Sequence, residues 1–114
     1  MHIISLRALR DFWEVWPDSK IPLQVWHRIV RLGKFGDFKA FKAAFNSVDY
    51  AKGFTIFDIG GNKFRIIAAV HYNRQKLYIR YVFTHQQYDD WSKAMRKAKP
   101  KTKLKPKQKP KRKK

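Results

Sequence analysis

Apolar positions in the first third of the chain recur at helical spacing. Leu6, Leu9, Trp13 and Trp16 fall at i, i+3, i+7 and i+10, with Arg7, Arg10, Asp11 and Glu14 between them. This pattern predicts an amphipathic helix of about three turns. Ser5 is placed to cap it and Pro17-Asp18 to stop it. His2 to Ser5, ahead of it, fits a short strand. A second helix begins near Ser19 to Pro22, since proline is tolerated in a first turn, and Leu23, Trp26, Ile29, Val30 and Gly33 form its inner stripe. Gly33 and Gly36 bracket a loop, and Phe38, Phe41 and Phe45 predict one or two further helical turns.

The period then changes. Phe54 to Ile59 is rich in aromatic and β-branched residues, and Gly60-Gly61-Asn62 is a strong turn signal. Lys63 to Tyr72 predicts a second strand, Asn73-Arg74-Gln75 a turn, and Leu77 to Thr84 a third strand. The two short connections imply an antiparallel meander. Gln86 to Lys97 closes the domain as a helix, with Tyr88, Trp91 and Met95 at i, i+3 and i+7, and Pro100 ends it. The expected architecture is α+β in two layers, an antiparallel sheet with the N-terminal helices on one face and a short C-terminal helix.

Strand parity sorts the side chains. Phe64, Ile66, Ala68, Val70 and Tyr72 form the expected core face of one strand; Lys63, Arg65, Ile67, Ala69 and His71 share the other. On the next strand Leu77, Ile79, Tyr81 and Phe83 are expected in the core, and Tyr78, Arg80, Val82 and Thr84 outside. The open face then gathers Lys63, Arg65, Arg80 and Tyr78, with His85 and Tyr88 at its rim.

Charge sharpens the domain organisation. The net charge is +19, but 13 of the 27 basic residues and none of the 8 acidic ones lie in residues 93–114. A folded domain over 1–98 and a disordered Lys/Pro-rich tail over 99–114 are expected. Such charge points to a polyanion, because Lys and Arg that neutralise phosphates release condensed counterions; an anionic membrane surface is the competing target. The absence of cysteine excludes disulfide frameworks, thiol nucleophiles and zinc–thiolate sites. The longest purely apolar run, Ile66 to Val70, falls far short of the roughly 20 residues of a membrane span. Met1 to Arg7 lacks the apolar core of a signal peptide, so a cytoplasmic protein is expected.

Cations beside a histidine and a tyrosine, with no carboxylate pair, suit metal-independent RNA cleavage. The 2′-hydroxyl attacks the adjacent phosphate, a base takes its proton, an acid protonates the leaving 5′-oxygen, and cations stabilise the phosphoryl charge. Histidine titrates near neutrality and arginine contacts phosphate oxygens in bidentate fashion. The same residues also fit plainer roles. Arg65 and Arg80 suit a solvated sheet face, His85 a turn, and Tyr88 the first core contact of its helix. Trp13, Trp16 and Trp26 read as core, and Gly60-Gly61 as a hairpin turn with no phosphate-loop pattern around it. His2, His27 and His71 stand at no metal-ligand spacing, and no cofactor is expected.

Two segments carry a family resemblance. Gly60-Gly61-Asn62 with Arg65, followed by Tyr78-Ile79-Arg80, Val82, Thr84-His85 and Tyr88-Asp89, resembles the HigB family of toxins in the RelE-like group of type II toxin–antitoxin systems. Leu9 in the first helix, a Trp-bearing second helix and Phe41 to Phe45 also fit. The resemblance spans residues 1–92; the basic tail departs from the pattern. It implies a RelE-like fold and an endoribonuclease, an mRNA interferase acting on translated mRNA at the ribosome. It also implies a HigA-like helix-turn-helix antitoxin as partner, with operator DNA bound only through that antitoxin. Carried onto this chain, it singles out Asn62, Lys63, Arg65, Arg80, His85 and Tyr88. Arg65 and Arg80 are expected to hold the scissile phosphate and His85 to act as acid or base. Tyr88 is expected to stack on a base or assist proton transfer. Lys63, Asn62 and Tyr78 are expected to contact RNA. The competing reading is a non-enzymatic basic module that binds RNA or DNA.

Overall fold

The computed structural model describes residues 1–98, and the Lys/Pro-rich stretch expected as a tail lies outside them. The elements run β1 (His2–Ile4), α1 (Leu6–Val15), α2 (Lys20–Leu32), α3 (Phe38–Ala44), β2 (Asp49–Ala51), β3 (Phe54–Ile59), β4 (Phe64–His71), β5 (Lys76–Thr84) and α4 (His85–Ala98). Single 3₁₀ turns occupy Pro17–Ser19 and Tyr72–Arg74. The sheet has the order β1-β5-β4-β3-β2, and its expected antiparallel meander is present. Two features differ from expectation. β1 joins β5 in parallel, Ile3 opposite Leu77, so the sheet is mixed; no hairpin ties these two strands, and nothing local imposes an antiparallel pairing. β2 is an additional edge strand, too short to show alternation. It turns into β3 through Lys52 and Gly53, both at positive φ, as a two-residue hairpin requires.

One face of the sheet packs against the N-terminal helices. Leu9, Leu23, Trp26, Val30 and Phe41 meet Phe57, Ile59, Phe64, Ile66, Ala68, Leu77 and Ile79 in one cluster. Phe57 is its hub: the rings of Trp26, Phe41 and Phe45 stand edge-on to it at 5.3, 5.2 and 5.4 Å. The expected core face of β4 is therefore observed. Trp16, expected in the core, is 42% exposed because it caps α1 beyond its last turn; Leu6 and Ile29 are exposed as well.

The opposite face is covered too, contrary to the expected open face. α4 lies across it, and Trp91 contacts Phe54, Tyr81 and Phe83 at about 6 Å. Ile56 and Ile67, paired across β3 and β4 with their parity on this side, are buried outside the main core. Tyr81 and Phe83, expected in the main core, belong to this second cluster, and Val82, expected outside, packs on the main core. A β-bulge causes the exchange. Ile67 pairs with Tyr81 but Ala68 with Ile79, so Arg80 is an extra residue without a partner. Every side chain of β5 beyond it changes face.

α4 starts at His85, one residue earlier than expected. Its N-terminus is closed by a reciprocal capping box: the Gln87 N–H donates to Thr84 Oγ1 at 3.1 Å, and the Thr84 N–H donates to Gln87 Oε1 at 2.9 Å.

Two stability effects are expected in urea denaturation. Phe57→Ala leaves a cavity among three rings and lowers unfolding free energy by about 3–5 kcal/mol. Thr84→Ala removes the cap and lowers it by about 1 kcal/mol.

Candidate active site

The connection between β3 and β4 is a sharp turn. Gly60, Gly61 and Asn62 follow one another at φ +64°, +63° and +85°. Glycine takes such angles freely and asparagine tolerates them better than most residues. Asn62 is held there by Arg65: one terminal guanidinium nitrogen donates to Asn62 Oδ1 at 2.7 Å, and the other donates to the carbonyls of Asn62 and Phe64 at 3.1 and 3.2 Å. Arg65 Nε lies 2.8 Å from Asp58 Oδ1, directly across the β3–β4 ladder. The guanidinium also stands 5.3 Å from the centre of the Tyr88 ring. Arg65 is buried, and its charge is compensated within the domain.

The first turn of α4 reaches the same place. The His85 backbone N–H donates to the Lys63 carbonyl at 2.9 Å, fastening the helix to the strand just past the turn. The half-exposed His85 imidazole places Nδ1 3.1 Å from Asp89 Oδ2, one helical turn on. A carboxylate accepting from Nδ1 leaves Nε2 as the basic nitrogen, directed away from the carboxylate. Lys63 is exposed beside it. The site thus offers an oriented imidazole, an ammonium group, an aromatic ring over a buried guanidinium, and an asparagine at a turn. That set can move a proton beside an anion held by cations. Among the described residues no group of three or more His, Asp or Glu side chains gathers as metal ligands.

Five expected residues, Asn62, Lys63, Arg65, His85 and Tyr88, are brought together. Tyr78 and Arg80 are not among them. They form a second group further down β5, with Arg80 5.8 Å from the Tyr78 ring centre and Tyr78 edge-on to His71 at 5.3 Å. Four residues of strand, roughly 13 Å, separate Arg80 from Thr84. The bulge directs Arg80 to a groove of about 470 Å³ between α1 and β5, which runs toward Gln87 in α4. His27, outside both groups, is held below its ordinary pKa by burial and then by Arg31.

Asp58 and Asp89 are the carboxylates of the candidate site that sequence reasoning missed. Asp89 stood in the motif at i+4 from His85, a legible helical pair. Asp58 had the weaker signal of a lone acid on a strand; only the register of the Gly60–Lys63 turn sets it opposite Arg65.

The family described as HigB toxin, the RelE-like toxic component of a toxin–antitoxin system, matches residues 19–91. The mRNA interferase toxin HigB of Escherichia coli strain K12 is 38% identical over 92 residues, covering 78% of this chain and 88% of that protein. The mRNA interferase HigB of Shigella flexneri matches to the same extent. The mRNA interferase HigB of Escherichia coli O6:H1 is 24% identical over 102 residues, covering 87% and 99%. The matched span contains β3, the glycine turn, β4, β5 and the start of α4, so the whole site lies within it. The chain belongs to the HigB toxin family, the RelE-like toxic components of toxin–antitoxin systems.

Proposed function

We propose that this chain is an mRNA interferase, an endoribonuclease that cuts translated mRNA on the ribosome and is neutralised by a HigA-like helix-turn-helix antitoxin. The observation that carries this reading is the His85–Asp89 pair docked on Lys63 beside Tyr88, within a sequence 38% identical to a protein named mRNA interferase. The reaction is attack of an RNA 2′-hydroxyl oxygen on the adjacent phosphorus. That bond forms as the bond to the 5′-oxygen breaks, leaving a 2′,3′-cyclic phosphate and a 5′-hydroxyl. No redox agent or metal is needed for this balance. His85 Nε2 exchanges a proton with the 2′-hydroxyl or the leaving oxygen, with Asp89 holding the ring. Lys63 meets the scissile phosphate, and Tyr88 stacks on a base unpaired by the reading of the message.

The two arginines take different parts. Arg65 spends its donors on Asp58, Asn62 and Phe64, so its main task is to hold the turn and the Tyr88 ring in place, with one N–H left for a phosphate oxygen. Arg80 and Tyr78 bind flanking nucleotides along β5, the arginine on phosphate and the ring on a base. A cytoplasmic setting fits this reading, and no helix among the described residues is long and apolar enough to cross a membrane.

In a reconstituted translation reaction, primer extension on the message is expected to map cuts made by the wild type. His85→Ala should slow cleavage by about 10²–10⁴-fold, and Arg80→Ala should weaken message binding more than it slows the step itself. Intact mRNA with the wild type, together with tight salt-dependent RNA binding, would instead support the non-enzymatic module. Asp58→Ala strips Arg65 of its charged partner and is expected to cost about 2–3 kcal/mol in urea unfolding. Asp58→Asn, which retains an acceptor, should recover part of both stability and cleavage.

A further inference from the structure

α2 carries three faces where a surface helix needs two. Leu23, Trp26 and Val30 are buried in the core. Lys20, Gln24, Arg28 and Arg31 recur at i, i+4, i+8 and i+11 and make an exposed cationic ridge. Between ridge and core runs a third row at the same spacing: Ile21, Val25, Ile29 and Leu32, which are 71, 52, 40 and 67% exposed. This row is roughly 16 Å long. It borders a groove of about 320 Å³ lined by Trp26 and, on the far wall, Phe45, Asp58, Ile59 and Gly60. No acidic residue occurs in α2. An apolar row of this length on a surface helix marks an interaction site.

The chemistry of the row and its ridge selects the occupant. RNA would satisfy the cations and leave four large apolar side chains in water. A second copy of this chain would press one cationic ridge against another in a molecule of net charge +19. A flat lipid surface meets both rows but does not fill a groove walled by Asp58 to Gly60. A protein helix with apolar residues on one side and carboxylates beside them fits all three features.

We propose that this face of α2 is where the antitoxin docks, laying an acidic amphipathic helix into the groove with its carboxylates against Arg28 and Arg31. The proposal rests on the toxin–antitoxin pairing of the family. The groove ends at Gly60, two residues before Asn62, so a helix seated in it lies beside the turn that holds the candidate site. Charge steers the encounter, and the apolar row holds the complex.

The test uses the full chain and, as probe, the purified product of the reading frame adjacent to the toxin's own. Titration calorimetry is run on the wild type, on Val25→Asp/Leu32→Asp and on Arg28→Glu/Arg31→Glu, with growth arrest and rescue scored in parallel. All these positions are exposed and outside the candidate site, so each variant should fold and arrest growth by itself. The apolar variant is expected to bind the probe at least about tenfold more weakly and to escape rescue. The charge variant should lose a similar factor at low salt and less at high salt. Unchanged affinity and full rescue of both variants would overturn the docking face. Loss of binding only to phosphatidylserine vesicles, with probe affinity intact, would overturn it in favour of a membrane surface. A probe that fails to bind or rescue the wild type would instead defeat the pairing itself, a distinct result that takes the proposal with it.

Discussion

The Arg65 guanidinium is the contact on which the site depends. It is a charge buried on the face of a sheet, and such a charge is tolerated only when its donors are satisfied nearby. Asp58 supplies the opposite charge from the neighbouring strand, and the Asn62 side chain and two carbonyls take the remaining bonds. One side chain thereby joins β3, the glycine turn and β4, and it lies over the Tyr88 ring of α4 at 5.3 Å. The left-handed Asn62, an unfavourable conformation by itself, is stabilised by the same bonds. The Gly-Gly-Asn motif and the arginine three residues later are parts of one device.

α4 is the second constraint. Its first residue carries the imidazole, and its first turn is fixed by a capping box and by the His85 N–H on Lys63. Further along, Trp91 binds the helix to the aromatic row of Phe54, Tyr81 and Phe83. The bulge at Arg80 makes this possible. Without it Tyr81 and Phe83 would turn toward the main core, and α4 would lose the β5 part of the apolar surface it lies on. The bulge also sets Arg80 apart from His85, so the basic residues divide into a group at the turn and a group along β5.

The helices, the meander and the main core were legible because each has a local cause: apolar spacing at 3.6 or 2, a proline stop, a glycine turn. Grouping Asn62, Lys63 and Arg65 with His85 and Tyr88 was legible because strand parity and a short connection suffice to bring them near. Three features were not. The short β2 shows no period of its own. The parallel docking of β1 depends on space left at the edge of β5. The exchange of faces beyond Arg80 depends on one unpaired residue, which no alternation pattern reveals.

The helices, the meander, the glycine turn and the choice of residues able to move a proton were therefore determined by sequence alone, because each follows from chemistry within a few neighbouring residues. Tertiary structure decided which of those residues are free to act. Arg65 looked like a loose cation in the sequence and is a buried, four-bonded support in the fold, because Asp58 reaches it only through strand register. His85 looked like a turn residue and is an oriented imidazole, because the cap at Thr84 starts the helix that brings Asp89 to its Nδ1.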